Sequence, residues 1–453
     1  MTSVSSAPQQ GMPDLIGPTN GLATDLAHRL AEKGRPIRVG LIGSGEMGTD
    51  IVTQCDQMTG ITVAAIAEIN VEAAKKALRI AGRAQESFHV ADTKAAFTSA
   101  LEGGKTAITT DAQMVCTHEQ IDVIIDATGR PAVGAEIGLV AMEHGKHLVM
   151  MNVEADVTIG AYLQHEAKRL GVVYTLGAGD EPSSCMELIN FVIGLGYPII
   201  AAGKGKNNPL NIEATPAEYM DEAKRRNMNP RMLVEFVDGS KTMVEMAAIS
   251  NATGLVPDCP GMHGPAATLD QLETVLCPLA DGGVLSRKGV VDYSIGKGVA
   301  PGVFVVVEMA HPRLRERMLD LKLGKGPYYT FYRPYHLTSL EVPLSCARAV
   351  LYGTADMRPL PHPTSEVCAV AKKDLKPGDT LDALGEYCYR AWIMTYSDAQ
   401  KKHAIPCGLL EKARVTQPIK KGDLITYDNT AVDQSSGIVA LRKRQDELLA
   451  KVH

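Results

Sequence analysis

Residues 37–50 read Ile-Arg-Val-Gly-Leu-Ile-Gly-Ser-Gly-Glu-Met-Gly-Thr-Asp, an apolar strand running directly into Gly43-x-Gly45-x-x-Gly48. The three glycines alone are a weak signal, but the surroundings strengthen them. An amphipathic stretch (Ile51, Val52, Cys55, Met58) follows, and then a second strand-like run, Ile61 to Ala67, that ends at Glu68. Gly43 permits a tight turn and Gly45 lets backbone N–H groups approach a pyrophosphate. Gly48 lets helix and strand pack closely, so the helix N-terminus faces the phosphate charge. Ser44, Glu46 and Met47 complete this loop. Thr128 and Gly129, just beyond a strand ending at Asp126, join them as cofactor-binding candidates. The reading is a dinucleotide site. Glu68 stands where an acid bonds the ribose 2′-hydroxyl, a position that favours NAD over a 2′-phosphate.

The alternation continues as a strand at 37–42, a helix at 45–58, a strand at 61–67 and a helix at 71–81. It resumes with a strand at 121–126, a helix at 131–144 and a strand at 147–151. This order implies an α/β fold with a Rossmann-type doubly wound parallel sheet. Residues 84–116 read as a helix and a connecting loop, Phe97 to Thr110. Residues 1–19 read as a flexible arm, and Asn20 as a cap for a helix through Lys33. The nucleotide half is thus 20–176. An α+β substrate and dimerisation domain follows over 177–345, with helices at Met186–Leu195 and Pro216–Arg226 and strands at Val303–Met309 and Leu340–Pro343. A small C-terminal module occupies 346–453.

Composition narrows the partners. With 453 residues the chain exceeds one ordinary core, and its net charge of −6 gives no footprint for nucleic acid or an anionic membrane. No apolar run reaches spanning length and the polar start lacks an h-region, so a cytoplasmic location is expected. The nine cysteines form no CxxC pair and read as reduced, buried thiols. A homodimer is expected, because the substrate-domain sheet needs a covered face.

Three strand-end clusters carry candidate chemistry. In Met151-Asn152-Val153-Glu154, Asn152 could orient a substrate and Glu154 could hold a metal or a hydroxyl. A helix cap accounts for the same residues equally well. In Gly177-Ala-Gly-Asp180-Glu181-Pro-Ser183-Ser184, two carboxylates followed by hydroxyls suit a divalent cation or a phosphate. Asp180 and Glu181 point apart in an extended backbone, so only one of them is expected on a given metal, and Ser183 or Ser184 could serve as an N-cap. In Gly203-Lys204-Gly-Lys206-Asn207-Asn208, the two lysines share one side of an extended segment, where they could hold a phosphate or polarise a carbonyl. Lys241 and Glu245 fall one helical turn apart and read equally as a surface ion pair or a site. Arg287, Lys288, Arg333 and His336, in loops rich in Gly, Tyr and Pro, are candidate substrate contacts.

The tail holds an internal echo. Leu375 is followed three residues later by Gly378-Asp379, and Ile419 by Gly422-Asp423. These halves resemble the SAF domain, a small β-clip module. With all these segments together, the chain resembles homoserine-dehydrogenase-like proteins with a C-terminal SAF domain, in their branch similar to 1-deoxy-D-xylulose 5-phosphate reductoisomerase. The resemblance implies NADPH-dependent rearrangement and reduction of deoxyxylulose phosphate, a small phosphorylated sugar, to methylerythritol phosphate in isoprenoid synthesis. It also implies a divalent metal, Mg or Mn, at Asp180 or Glu181, and Lys204 on the substrate. Ordinary reductoisomerases carry Asn-Lys-Glu and Asp-Ser-Glu segments, whereas this chain has Asn152-Val153-Glu154 and Asp180-Glu181. A homoserine-type or sugar-acid dehydrogenase is the second reading, and a nucleotide-binding sensor or assembly protein the third.

Overall fold

A computed structural model describes residues 21–451, so the arm at 1–19 and the proposed Asn20 cap lie outside the described residues. The nucleotide half runs α1 (Leu22–Lys33), β1 (Ile37–Ile42), α2 (Glu46–Cys55), β2 (Ile61–Ala67), α3 (Val71–Ile80), β3 (Phe88–Val90) and α4 (Lys94–Glu102). It continues with β4 (Thr106–Thr109), α5 (Ala112–Thr117), β5 (Val123–Asp126), α6 (Pro131–Glu143), β6 (His147–Met150), α7 (Val153–Leu170) and β7 (Tyr174–Leu176). These strands form one seven-stranded parallel sheet in the order β3-β4-β2-β1-β5-β6-β7. Ile37, Val39 and Leu41 of β1 are fully buried, as are Ile124 and Ile125 of β5, as expected of strands covered on both faces. The stretch read as a helix and a loop at 84–116 does hold helix α4 and the start of α5, but it also contributes the strands β3 and β4. Polar residues interrupt the short apolar runs of these two strands.

The second sheet has the order β12-β11-β8-β10-β9. The chain reaches it through α8 (Glu181–Gly194) and β8 (Ile199–Gly205). Three helices follow, α9 (Met220–Arg225), α10 (Pro230–Val237) and α11 (Ser240–Thr253), and then β9 (Val256–Pro257), α12 (Leu272–Val275), β10 (Val290–Ser294), β11 (Val303–Glu308), α13 (Pro312–Asp320) and β12 (Tyr328–Arg333). The helix expected from Pro216 begins only at Met220. The strand expected at Leu340–Pro343 is a 3₁₀ turn leading into α14 (Val342–Tyr352), with Pro343 in the first turn, where its missing N–H costs nothing. α14 packs back onto the first sheet, burying Val342, Cys346 and Ala347 among residues of β1, β2 and β5. The boundary expected at 345 therefore falls inside a helix.

The tail comprises β13 (Ser365–Ala371), β14 (Tyr389–Thr395), α15 (Tyr396–Lys401), β15 (Arg414–Val415), β16 (Thr430–Ala431) and α16 (Gly437–Ala450). The two echoed segments pair with each other: Leu375 N donates to Ile419 O at 2.8 Å and Ile419 N to Leu375 O at 3.0 Å. Their turns repeat too. Asp379 accepts from Lys376 N and Asp423 from Lys420 N, each beside a glycine of positive φ, Gly378 and Gly422. No helix among the described residues is long and apolar enough to cross a membrane.

Candidate active site

In a parallel sheet all carboxyl ends lie on one edge. Here the loops after β1, β5, β6 and β7 bring Gly43–Gly48, Thr128, Asn152 and Gly177–Asp180 to that edge. Gly43 has φ 91°, and a Cβ there would lie 2.7 Å from Ala127 O. A Cβ on Gly48 would meet Gly43 O at 2.5 Å, while one on Gly45 would meet nothing within 4 Å. Gly48 is thus closed by the fold, and Gly45, at the N-cap of α2, faces open space at a helix N-terminus. That arrangement fits a pyrophosphate. Glu46 opens α2, and Met47 beside it is 40% exposed. The carboxylate of Glu68 leans onto the turn, accepting from Ser44 N at 2.8 Å, Ser44 Oγ at 3.0 Å and Asn70 N at 3.0 Å.

Asn152 makes no side-chain cap to α7, against the capping reading. Its Nδ2 donates to Asp126 and, at 3.1 Å, to Thr128 Oγ1. Asp126, wholly buried at the end of β5, also accepts from Thr128 N and Oγ1. Burial pushes its pKa up, although these donors pull the other way. The sequence reading passed over Asp126; an acid closing an apolar strand was the available signal. Gly129 follows with φ 62°.

The loop after β7 is tied to the nucleotide turn. Thr338 N donates to Gly179 O at 2.8 Å, and Ser339 Oγ donates to Asp50 of α2 at 2.8 Å. Gly179 has φ 91°, and a Cβ there would strike Thr338 O at 2.3 Å. Asp180 is the N-cap residue of α8 and Glu181 its first residue. The N-cap expected at Ser183 or Ser184 therefore lies three or four residues earlier. Ser183 Oγ lies 4.0 Å from Met357 Sδ, and Ser184 Oγ is buried without a hydrogen-bond partner among the described residues.

Asp180 and Glu181, expected to diverge, converge. One carboxyl oxygen from each, together with one from Glu245 of α11, lie within 4.8 Å of one another. Lys204 Nζ sits 2.8 Å from Glu181 Oε1 and also bonds Glu245 Oε2. His336 places Nε2 at 3.5 Å from Glu181 Oε2, while its Nδ1 meets Pro301 O at 2.7 Å. Lys241 is no surface residue; its Nζ meets Glu154 Oε1 at 3.0 Å. Glu154 is thus held by a lysine rather than placed with the three acids. The telling signal for Lys241 and Glu245 was a pair of charges in an otherwise uncharged helix, where Glu245 is wholly buried.

Burial and the neighbouring Glu181 drive the Asp180 pKa well above its usual value, with Lys241 opposing. Burial and Glu181 lift Glu245 to about 7 against the pull of Lys204 and Lys241. For Glu181 burial pushes upward, but Lys204 prevails and holds it below the ordinary range. Burial pulls Lys204 down, and Glu181 and Glu245 more than reverse this, keeping it an ammonium. The donor set fits a divalent cation: three hard oxygens converge, and Glu245 Oε1 is buried without a partner among the described residues.

Lys206 is buried on the same side as Lys204, its Nζ on Asn208 O at 2.7 Å and Phe236 O at 2.6 Å. Burial, then Lys204, brings its pKa down to about 8. Asn207 is exposed, and Asn208 Oδ1 accepts from Arg226. Arg333 lies at the same sheet end but is committed to Glu187 at 2.9 Å and Glu341 at 2.6 Å. Arg287 and Lys288 do not join the site. They precede Val290, which pairs with Ala201, so they lie at the opposite end of the sheet from Lys204, with Lys288 on Glu308 at 2.6 Å.

Residues 43–176 match the NAD binding domain of homoserine dehydrogenase, and residues 179–342 match the catalytic domain of the oxidoreductase DRL. The homoserine dehydrogenase of Methylobacillus glycogenes is 31% identical over 118 residues, which is 26% of this chain and 25% of that protein. Glycosyl hydrolase family 109 protein 1 of Bacteroides thetaiotaomicron is 30% identical over 138 residues, 30% of this chain and 26% of that one. The chain thus spans about a quarter of the length of the curated relatives it matches. Apo scyllo-inositol dehydrogenase from Lactobacillus casei is similar at TM-score 0.41 and 12% identity, over 71% of this chain and 90% of that chain. A DOX-P reductoisomerase in complex with magnesium is similar at TM-score 0.33 and 15% identity, over 46% and 56%. The dinucleotide turn and the parallel sheet thus fall within a match to an NAD binding domain, and the Lys204 cluster falls within a match to the catalytic domain of an oxidoreductase.

Proposed function

We propose that this chain is an NAD(P)-dependent oxidoreductase that converts 1-deoxy-D-xylulose 5-phosphate to 2-C-methyl-D-erythritol 4-phosphate by rearrangement and reduction with NADPH. The observation that carries the reading is Lys204 of β8, a buried ammonium between Glu181 and Glu245, beside a loop tied through Thr338 and Ser339 to the nucleotide helix. Gly43–Gly48, Thr128 and Gly129 would hold the nicotinamide dinucleotide, which when bound supplies the hydride. Lys204 holds a proton against the substrate carbonyl oxygen and offsets the charge that develops there. Lys206 is the cation best placed to receive the phosphate. Asp180, Glu181 and Glu245 would hold a Mg or Mn ion, whose chemistry is that of a Lewis acid at the carbonyl. The match to the DRL catalytic domain over 179–342 supports this reading.

A specific observation favours the second reading. Lys204, Lys241 and Arg333 each already meet a carboxylate, so little cationic charge remains for a phosphate. A non-phosphorylated hydroxy or keto substrate, as in a homoserine-type or sugar-acid dehydrogenase, needs less. The resemblance expects NADPH, whereas the seating of Glu68 on the turn supports NADH. A panel of phosphorylated and non-phosphorylated substrates, run with both reduced nicotinamides and with and without chelator, separates the readings. Turnover of deoxyxylulose phosphate supports the first, and turnover of non-phosphorylated substrates alone overturns it.

The paired echo supports a SAF-type clip in the tail. Exposed Phe191 and Ile193 on α8 and Leu195 just beyond its end, beside the edge strand β12, support a homodimer formed through that face.

A further inference from the structure

The tail fastens both ends of α11, the helix that carries Lys241 and Glu245. At its start, Lys372 reaches from just beyond β13 to set Nζ 2.6 Å from Asp238 Oδ2, with the two side chains 3% and 0% exposed. The same ammonium donates to Ala214 O at 2.9 Å and to Glu386 O at 3.1 Å. Asp238 in turn accepts from Ser240 N at 2.9 Å, in the first turn of α11, and Ser240 Oγ accepts from Ala391 N of β14 at 2.9 Å. At the other end, Asn251 Oδ1 accepts from Thr364 N at 2.8 Å and Ser365 N at 2.9 Å, and Asn251 O accepts from Leu360 N at 2.7 Å. Between these anchors the β13–β14 hairpin shares one apolar core with Val244, Ala247 and Ala248. A helix pinned at both ends cannot slide along its axis, and a slide would draw Glu245 away from Lys204.

We propose that the tail is a clamp for the reaction centre and that Lys372 is its positioning residue, acting through Asp238 to fix Glu245 against Lys204. This assigns the tail a part in the reaction although none of its residues touches the trio of acids. The inference rests on the oxidoreductase reading of the Lys204 site, but not on which substrate is reduced.

Each variant is measured with whichever substrate the panel reveals. Lys372→Met should lower kcat about tenfold or more, because small misplacements of a catalytic group are costly. KM and the dissociation constant of the reduced nicotinamide should stay within about twofold, since the Gly43–Gly48 turn belongs to the other sheet. Lys372→Arg, which keeps the charge, should recover most of the rate. Leu375→Ala, which loosens the clip at the Leu375–Ile419 pair rather than at the anchors of α11, is the control for general destabilisation. Hydrogen exchange in Lys372→Met should quicken over residues 240–253 and not over 43–55, a readout that needs no substrate. If no substrate turns over, the functional reading fails while exchange still decides the clamp. Unchanged exchange over 240–253 overturns it, as does a kcat that falls equally in Leu375→Ala or does not recover in Lys372→Arg. Should Lys372→Met not fold, Ser240→Ala replaces it. A kcat loss of about threefold with KM unchanged then supports the clamp, and an unaltered kcat overturns it.

Discussion

Lys204 Nζ lies 2.8 Å from Glu181 Oε1, joining the middle of the catalytic sheet to the first residue of the helix that follows the nucleotide sheet. One ion pair therefore ties the two halves of the reaction centre. Lys204→Met is expected to reduce kcat by about 100-fold or more, the usual worth of a positioned proton donor. Nicotinamide binding, followed by fluorescence, should hardly change. A variant that retains more than about a tenth of the wild-type rate would remove Lys204 from the chemistry.

Glu245 Oε1 is buried with no partner among the described residues, and Asp180 and Glu181 face it. Saturating Mn²⁺ is expected to raise Tm by a few degrees through selective binding to the native state. Glu245→Gln should abolish that shift. The check is a thermal melt of chelator-treated protein with and without metal, and an equal shift in the variant would place any bound ion elsewhere.

The glycines of the nucleotide turn should separate binding from folding. Gly45→Val introduces a side chain into open space, so stability should change by less than about 0.5 kcal/mol while nicotinamide affinity drops at least about tenfold. Gly48→Val drives a Cβ to within 2.5 Å of Gly43 O and should cost about 1–3 kcal/mol of stability. Chemical denaturation and a cofactor titration on both variants check the contrast.

Glu68 accepts two bonds from Ser44 and so stands fixed beside the turn. Its carboxylate repels a 2′-phosphate, so Glu68→Ala is expected to raise kcat/KM for NADPH relative to NADH by about tenfold. The ratio is measured with both cofactors on one substrate. An unchanged ratio would mean that the ribose lies elsewhere.

Asp156 is buried and accepts from Tyr174 OH at 2.7 Å. Burial raises its pKa to about 7, with the Tyr174 hydrogen bond opposing. The fold thus holds a proton that the unfolded chain releases near pH 4. Its stabilising effect is full below about pH 4, declines by up to about 1.4 kcal/mol per pH unit as pH rises to about 7, and is absent above that. Asp156→Asn should flatten this slope and stabilise the protein at pH 8 but not at pH 4. Denaturation midpoints across that range decide it.

The first sheet was readable because its long strands are buried on both faces and appear as unbroken apolar runs, such as Ile61–Ala67. β3 and β4 escaped because His89, Thr106 and Thr109 break up the short apolar runs, whereas the equally short β5 shows as an unbroken Val-Ile-Ile. Neighbouring residues at strand ends, such as Asp180 and Glu181, were visible as candidates. Their convergence was not, because it depends on α8 starting at Glu181 and on Glu245 arriving from another helix. Arg287 and Lys288 misled for a topological reason: they sit before β10, whereas the site lies beyond its far end. His336, chosen from little more than its residue type, does reach Glu181, because β12 runs antiparallel to β11 and its end returns to the Lys204 edge.

α14 brings the chain back to the nucleotide sheet after the catalytic sheet is complete, and Met357 then bridges to Leu176 at the end of β7. The backbone consequently passes from the first sheet to the second and back again. Any movement of one sheet relative to the other must flex both passages together.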